Sequence, residues 1–283
     1  MPLIRPRTAA ATTAVTLCAA VLTFVGMRSA TAAPTQAPIG SSSSHGTKPT
    51  VVLVHGAWAD ASSWSREISD LEGAGYPVLA PPDPLRSLSG DSEYLRAFLS
   101  TIQGPIILVG HSYGGAVITN AATGNPNVKA LVYIDAFAPA AGEKVFGLTG
   151  ATSVLAGDPA TLFDLRPYPG APTGDADVYL KPSVISRAFA PDLSRQQQAV
   201  ITATQRPITF TAGNEQSGAP AWATIPSWYL LGTQDQMITP SAQRSMAQRA
   251  HSHITEIRSS HVSLISHPAA VDALVVAAAN ATT

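Results

Sequence analysis

An α/β fold, with a mostly parallel central sheet flanked by helices and an inserted cap, is what this sequence predicts. Three observations carry it. Short apolar runs alternate with segments whose apolar residues recur at helical spacing. The runs are continuous rather than every-other-residue, as suits strands covered on both faces. One of them, Ile106-Ile107-Leu108-Val109, ends in Gly110-His111-Ser112-Tyr113-Gly114, the pattern of a strand that turns sharply into a helix with serine at the apex.

The elements follow in order. Val51–Val54 reads as the first strand. Trp64, Ile68 and Leu71 mark a helix that Gly73 closes. Tyr76–Leu79 is a short strand running into a Pro-rich loop, and Leu95, Phe98, Leu99 and Ile102 mark the next helix. Gly104 then precedes the strand that delivers Ser112, and Ala116-Val117-Ile118 begins the helix behind it. Val128–Ile134 and Ser227–Leu231 are further buried strands. Thr239-Pro240 starts a helix, Thr as cap and Pro at its first position. Ile254–Ile257 is the last strand, and Pro268, Val271, Leu274, Val275 and Ala278 outline the last helix. Such alternation requires right-handed crossovers, and it gathers chemistry at the carboxyl ends of the strands.

One stretch breaks the rhythm. From about residue 139 to 222, Pro, Gly and Asp punctuate short pieces such as Val184–Phe189 and Leu193–Ala203. So long a segment is implausible as bare coil and reads as an inserted cap. Its apolar side chains, Phe146, Leu155 and Phe189 among them, form the cap's own core, and a few face the serine. Its aspartates, Asp158, Asp164, Asp175, Asp177 and Asp192, read as solvated turn residues.

The first residues stand apart. Arg5 and Arg7, an Ala-rich apolar run over about 9–25, and Ala30-Thr31-Ala32 make the anatomy of a secretory signal peptide, residues 1–32. Its rivals are a membrane anchor and, through Cys18, a lipid anchor; the small-residue cleavage site and the bulky Leu17 argue for removal. Residues 33–49, rich in Pro, Ser and Gly, read as a flexible linker, and residues 50–283 as one domain. Cys18 is the only cysteine, so the exported chain has no disulfide and no thiol chemistry. Three of the 17 Lys and Arg lie in the signal; without them, 14 basic side chains face 18 acidic ones, a net charge of −4. That balance, with no basic run, gives no footprint for nucleic acid or for stable membrane association. No heptad run fixes an oligomeric state.

Ser112 needs an imidazole to take its proton and a carboxylate to orient that imidazole. His251 and His253 flank the amino edge of the last strand, and His267 adjoins the final helix. His261 follows that strand on its carboxyl side and is the expected base. Asp235, just beyond Trp228–Leu231, is the expected acid. Asp135 ends another strand and is its rival, expected in a pocket or structural role. The oxyanion donors are expected to be the N–H of Tyr113 and, from the loop His55-Gly56-Ala57-Trp58, that of Ala57. His55 and His111 read as loop supports. No metal-ligand spacing and no Gly-rich phosphate loop occurs, so no cofactor and no metal are expected.

These residues resemble the α/β-hydrolase superfamily over nearly all of residues 50–279. Val54-His55-Gly56-Ala57-Trp58, Gly110–Gly115, Thr233-Gln234-Asp235 and Ser260-His261-Val262 are similar to the branch of plant methylesterases, hydroxynitrile lyases and small bacterial esterases. The resemblance implies a triad of Ser112, Asp235 and His261, oxyanion donors Ala57 and Tyr113, and hydrolysis of a small-molecule ester through an acyl-enzyme. The branch's lyases carry lysine after the histidine; Val262 stands there and argues against lyase activity. Serine at position 112 argues against dehalogenase and epoxide hydrolase chemistry, which use aspartate at that turn. A lactonase or cofactor-free perhydrolase remains the alternative on the same triad, and a non-catalytic ligand-binding module the alternative of another class.

Overall fold

The structure, a computed structural model, describes residues 48–283. The expected signal peptide and linker residues 33–47 lie outside the described residues. Nine strands form two sheets among these residues. The main sheet has six parallel strands in the order β2-β1-β3-β4-β8-β9. They are β1 (Thr50–Val54), β2 (Val78–Leu79), β3 (Ile106–His111), β4 (Val128–Ile134), β8 (Ser227–Gly232) and β9 (His253–Ile257).

Every residue of β3 and β8 is buried, the consequence of continuous apolar runs that must be covered on both faces. Helices α1 (Ser65–Gly73) and α2 (Leu88–Leu99) follow β1 and β2, and α3 (Tyr113–Ala121) follows β3. α2 packs on α3, and α1 on the C-terminal helix Pro268–Thr282. The expected strand at 76–79 shortens to Val78–Leu79; Pro77 still contributes its carbonyl, which accepts from Val51 N–H. Thr239 caps the helix Pro240–Arg249 by accepting from Ala242 N–H.

Strand order reverses between β1 and β3, and a crevice opens outside the carboxyl ends of strands at such a switch point. Backbone strain collects at the same edge. Trp58 (φ 59°), Ser112 (φ 52°) and Asp135 (φ 44°) follow β1, β3 and β4, all in the left-handed region that non-glycine residues avoid.

The segment between β4 and β8 folds back over this edge. It carries an antiparallel sheet of β5 (Phe163–Arg166), β6 (Asp177–Leu180) and β7 (Ile208–Thr209). The sequence gives no sign of that sheet, because its strands are only two to four residues long and β7 pairs with β6 across a long connection. Trp58 N–H donates to Arg206 O (2.9 Å) and its indole N–H to Val178 O (2.8 Å), tying the segment to the β1 loop.

Candidate active site

Ser112 is placed by steric necessity. A Cβ at Gly110 would stand 2.6 Å from Gly114 O, and one at Gly114 would stand 2.6 Å from Val54 O. Only glycine lets β3 turn so tightly into α3 and lets that turn lie against the end of β1. The turn aims the Ser112 side chain at the loop after β9. There its hydroxyl donates to His261 Nε2 over 2.8 Å, and His261 Nδ1–H donates to Asp235 Oδ2 over 2.7 Å. All three side chains are buried. The structure therefore brings together the residues expected as nucleophile, base and acid.

Asp235 is held from several sides. Its Oδ1 accepts from Met237 N–H (2.7 Å) and Ile238 N–H (3.1 Å), and its Oδ2 also accepts from Gln243 Nε2 (2.7 Å). Gln243, fully buried on the helix Pro240–Arg249, is a site residue that sequence reasoning missed. The available signal was a glutamine on the inward face of a helix whose first turn follows the acid. Gly232 lets the loops that carry Asp235 and His261 approach, since a Cβ there would lie 2.6 Å from the carbonyls of both Ser259 and Ser260.

Asp135, expected in a pocket or structural role, accepts from Gly232 N–H (2.7 Å), from Ser263 N–H (3.0 Å) and from the Ser263 hydroxyl, which ties together the loops that carry Asp235 and His261. Burial, and then the neighbouring Asp235 charge, push its carboxyl up to about 7. Burial opposes charging of His261. The Asp235 charge and hydrogen bond, with Asp135 adding to them, outweigh that, so His261 titrates above the ordinary 6.5.

The remaining histidines have other tasks. His111 Nε2–H donates to His261 O (2.9 Å), fixing the backbone of the loop that carries His261. His55 Nδ1–H donates to Gly56 O (2.9 Å), and its Nε2 accepts from Asp83 N–H (3.0 Å). Burial holds both below the usual histidine range, His55 at about 4. His251 and His253 sit at the amino edge of β9, where His253 stacks on Trp228, and His267 bonds the Ser266 hydroxyl.

One expectation is corrected. Asp177 is not a solvated turn residue but a buried member of β6 whose carboxylate accepts from Arg86, and Asp164 lies in β5 against Lys181. Asp192 is exposed in a turn as expected, yet it also accepts from Ser260 N–H (2.9 Å) and the Ser260 hydroxyl, and Asp175 accepts from Phe210 N–H and Thr211. These partners are far along the chain, so local composition carried no sign of them.

Ala57 and Tyr113 border the space in front of Ser112. Their N–H groups make no backbone hydrogen bond among the described residues. Phe137, Val145, Phe146, Leu155, Met237 and Ile238 complete an apolar chamber of about 10 Å³, room for a single water at most.

A sequence model of the alpha/beta hydrolase family matches residues 51–274. The chain belongs to that family. A carbendazim-hydrolyzing esterase from Nocardioides sp. is 37% identical over 110 residues, a match spanning 34% of this chain and 46% of that protein. A pyrethroid hydrolase from Sphingobium wenxiniae is 26% identical over 226 residues, covering 69% of this chain and 74% of its own. Among solved structures, polyneuridine aldehyde esterase superposes with a TM-score of 0.67 at 19% identity, over 81% of this chain and 98% of that one. That likeness is one of fold.

Proposed function

We propose that this chain hydrolyses carboxylic esters through an acyl-enzyme on Ser112. The observation that carries the reading is the continuous chain from the Ser112 hydroxyl through His261 to Asp235, at 2.8 and 2.7 Å, on the floor of an apolar chamber. The esterase and hydrolase names of its relatives support it.

In the first half-reaction Ser112 Oγ bonds to the acyl carbon while its proton passes to His261 Nε2. The carbonyl oxygen becomes an oxyanion facing the N–H groups of Ala57 and Tyr113. Collapse breaks the bond to the alkoxy oxygen, which leaves with the proton from His261. Water then attacks the acyl carbon, again giving its proton to His261, and Ser112 departs as the hydroxyl. Asp235 stays ionised throughout and steadies the imidazolium. Each oxyanion donor in such sites contributes about 10²–10³ in turnover. No cofactor or metal enters this scheme.

The test is Ser112→Ala. It abolishes turnover of p-nitrophenyl esters and covalent labelling by an organophosphonate; labelling that persists in the variant refutes the assignment. The proposal also places the enzyme outside the cytoplasm after removal of residues 1–32. N-terminal sequencing of material secreted by an expressing culture checks this, with a start near Ala33 expected and an intact Met1 start overturning it.

A further inference from the structure

The chamber at Ser112 is too small for any ester, and a second cavity of about 430 Å³ lies beside it. The two share Trp58 as a common wall. Phe189, also in the wall of the larger cavity, packs edge-on against Trp58 at 6.2 Å and lies 5.3 Å from the His261 ring, centre to centre. Val262, the residue after the base, lines the larger cavity too. The space therefore begins on the flank of His261, behind a partition of two aromatic rings.

Chemistry fixes which part of an ester belongs on that flank. The alkoxy oxygen must receive its proton from His261 Nε2, so it lies within hydrogen-bond reach of that atom when the acyl bond breaks. Its substituent extends away from the acyl carbon, past the imidazole. We propose that the larger cavity is the compartment for the alcohol portion of the substrate, and that it takes a bulky aromatic alcohol of about two fused rings. This inference rests on the ester-hydrolase reading above. The volume falls within the range of about 300–1,000 Å³ typical of pockets for compact organic ligands. Trp58, Phe189 and Leu264 back it on the inner side, Val200 and Ile201 border it from the covering helix, and Asp60, Arg66, Gln197 and a group of serines give it a polar mouth.

Two further observations fit an occupant of this kind. The helix Arg195–Thr204 runs ten residues with no buried side chain, and Val200 is 56% exposed. Both Val200 and Ile201 border the cavity, so apolar surface on the covering segment is left facing space that a ligand would fill. Trp58 itself is held in a left-handed backbone conformation (φ 59°), and both its N–H groups donate to carbonyls of the covering segment, Arg206 and Val178. Movement of that segment would release both bonds at once and so could join the two spaces that Trp58 borders.

The experiment compares two butyrate esters that differ only in alcohol, ethyl and 2-naphthylmethyl, on the wild-type enzyme, Ile201→Trp and Trp58→Ala. Ile201→Trp fills the cavity from a half-exposed helix and lowers the naphthylmethyl-to-ethyl ratio of kcat/KM at least tenfold. Trp58→Ala removes the partition and raises that ratio severalfold. A binding readout accompanies them: in the Ser112→Ala background, Ile201→Trp weakens the Kd for 2-naphthylmethanol, followed by its fluorescence, at least tenfold. A ratio within twofold of wild type in Ile201→Trp, or an unchanged Kd, overturns the proposal even if Trp58→Ala fails to fold. Absence of turnover for both esters in the wild type, together with no phosphonate labelling, would instead sink the esterase reading itself.

Discussion

Gly56 offers the sharpest test of the site's geometry. A Cβ at this position would stand 2.6 Å from Ser112 Cβ, 2.8 Å from His111 O and 3.2 Å from Tyr113 N, where ordinary contact begins at 3.4 Å. Gly56→Ala must therefore push the β1 loop and the serine turn apart by close to 1 Å, since backbone atoms and Cβ have no rotamer through which to escape. Both halves of the machinery move: Ser112 from His261, and the N–H of Ala57 from that of Tyr113. A misplacement of about 1 Å at a reacting centre costs on the order of 10²-fold in rate, or about 2.7 kcal/mol of transition-state stabilisation. Overpacking also costs roughly 1–3 kcal/mol of stability, which for a domain of this size lowers Tm by about 2–12 °C. Steady-state turnover of p-nitrophenyl acetate reads the first effect and thermal melting the second. Gly73→Ala is the control, because a Cβ there meets nothing within 4 Å and the position is helical; it leaves kcat/KM at the wild-type value and Tm level or slightly higher. A Gly56→Ala enzyme within threefold of wild type in kcat/KM would show that the close approach of the β1 loop to the serine turn does not set the reacting geometry.

Asp235→Asn presents His261 with an amide that can favour the wrong tautomer, and kcat falls by about 10⁴ while phosphonate labelling slows in parallel; a loss below tenfold would return Asp135 to candidacy as the acid. The wild-type rate falls on acidification with a midpoint above 6.5, because the neighbouring carboxylates raise His261 and only the neutral imidazole accepts the serine proton. In Asp135→Asn one carboxylate that favours the imidazolium is gone, so His261 drops and the acid limb of kcat/KM moves to lower pH. An acid limb that stays in place or moves upward in Asp135→Asn contradicts the coupling.

The main sheet and the meeting of Ser112, His261 and Asp235 were legible because local rules determine them. Strands covered on both faces must be continuously apolar, as β1, β3, β4 and β8 are, while β2 and β9 are the exposed edges of the same sheet. Gly110 and Gly114 mark the serine turn because backbone atoms stand where their Cβ atoms would be. Chain order and strand edge then separate His261 from His251, His253 and His267. Long-range pairing was not legible. Asp192 meets Ser260 from 68 residues away, and nothing in its neighbourhood distinguishes it from a solvated loop aspartate. The β5-β6-β7 sheet is built from strands too short to show a period, and Trp58, which borders both spaces, bonds to carbonyls of residues 178 and 206, far along the chain.

On the mechanism proposed above, the buried histidines show how one base can be selected where two imidazoles lie side by side. His111 and His261 rings are 5.1 Å apart, and both are desolvated. Burial alone depresses every imidazole and would leave none able to hold the serine proton. His261 escapes because Asp235 meets its Nδ1–H and Asp135 adds a second negative charge nearby. His111 has only a carbonyl, that of His261 itself, and His55 is placed between a carbonyl and a backbone N–H. A neutral imidazole whose Nε2–H is already committed to a carbonyl neither competes for the proton nor repels the cation formed next to it. His111 must therefore stay neutral for His261 to charge, and the low dielectric that makes it a good scaffold is the same one that makes Asp235 effective.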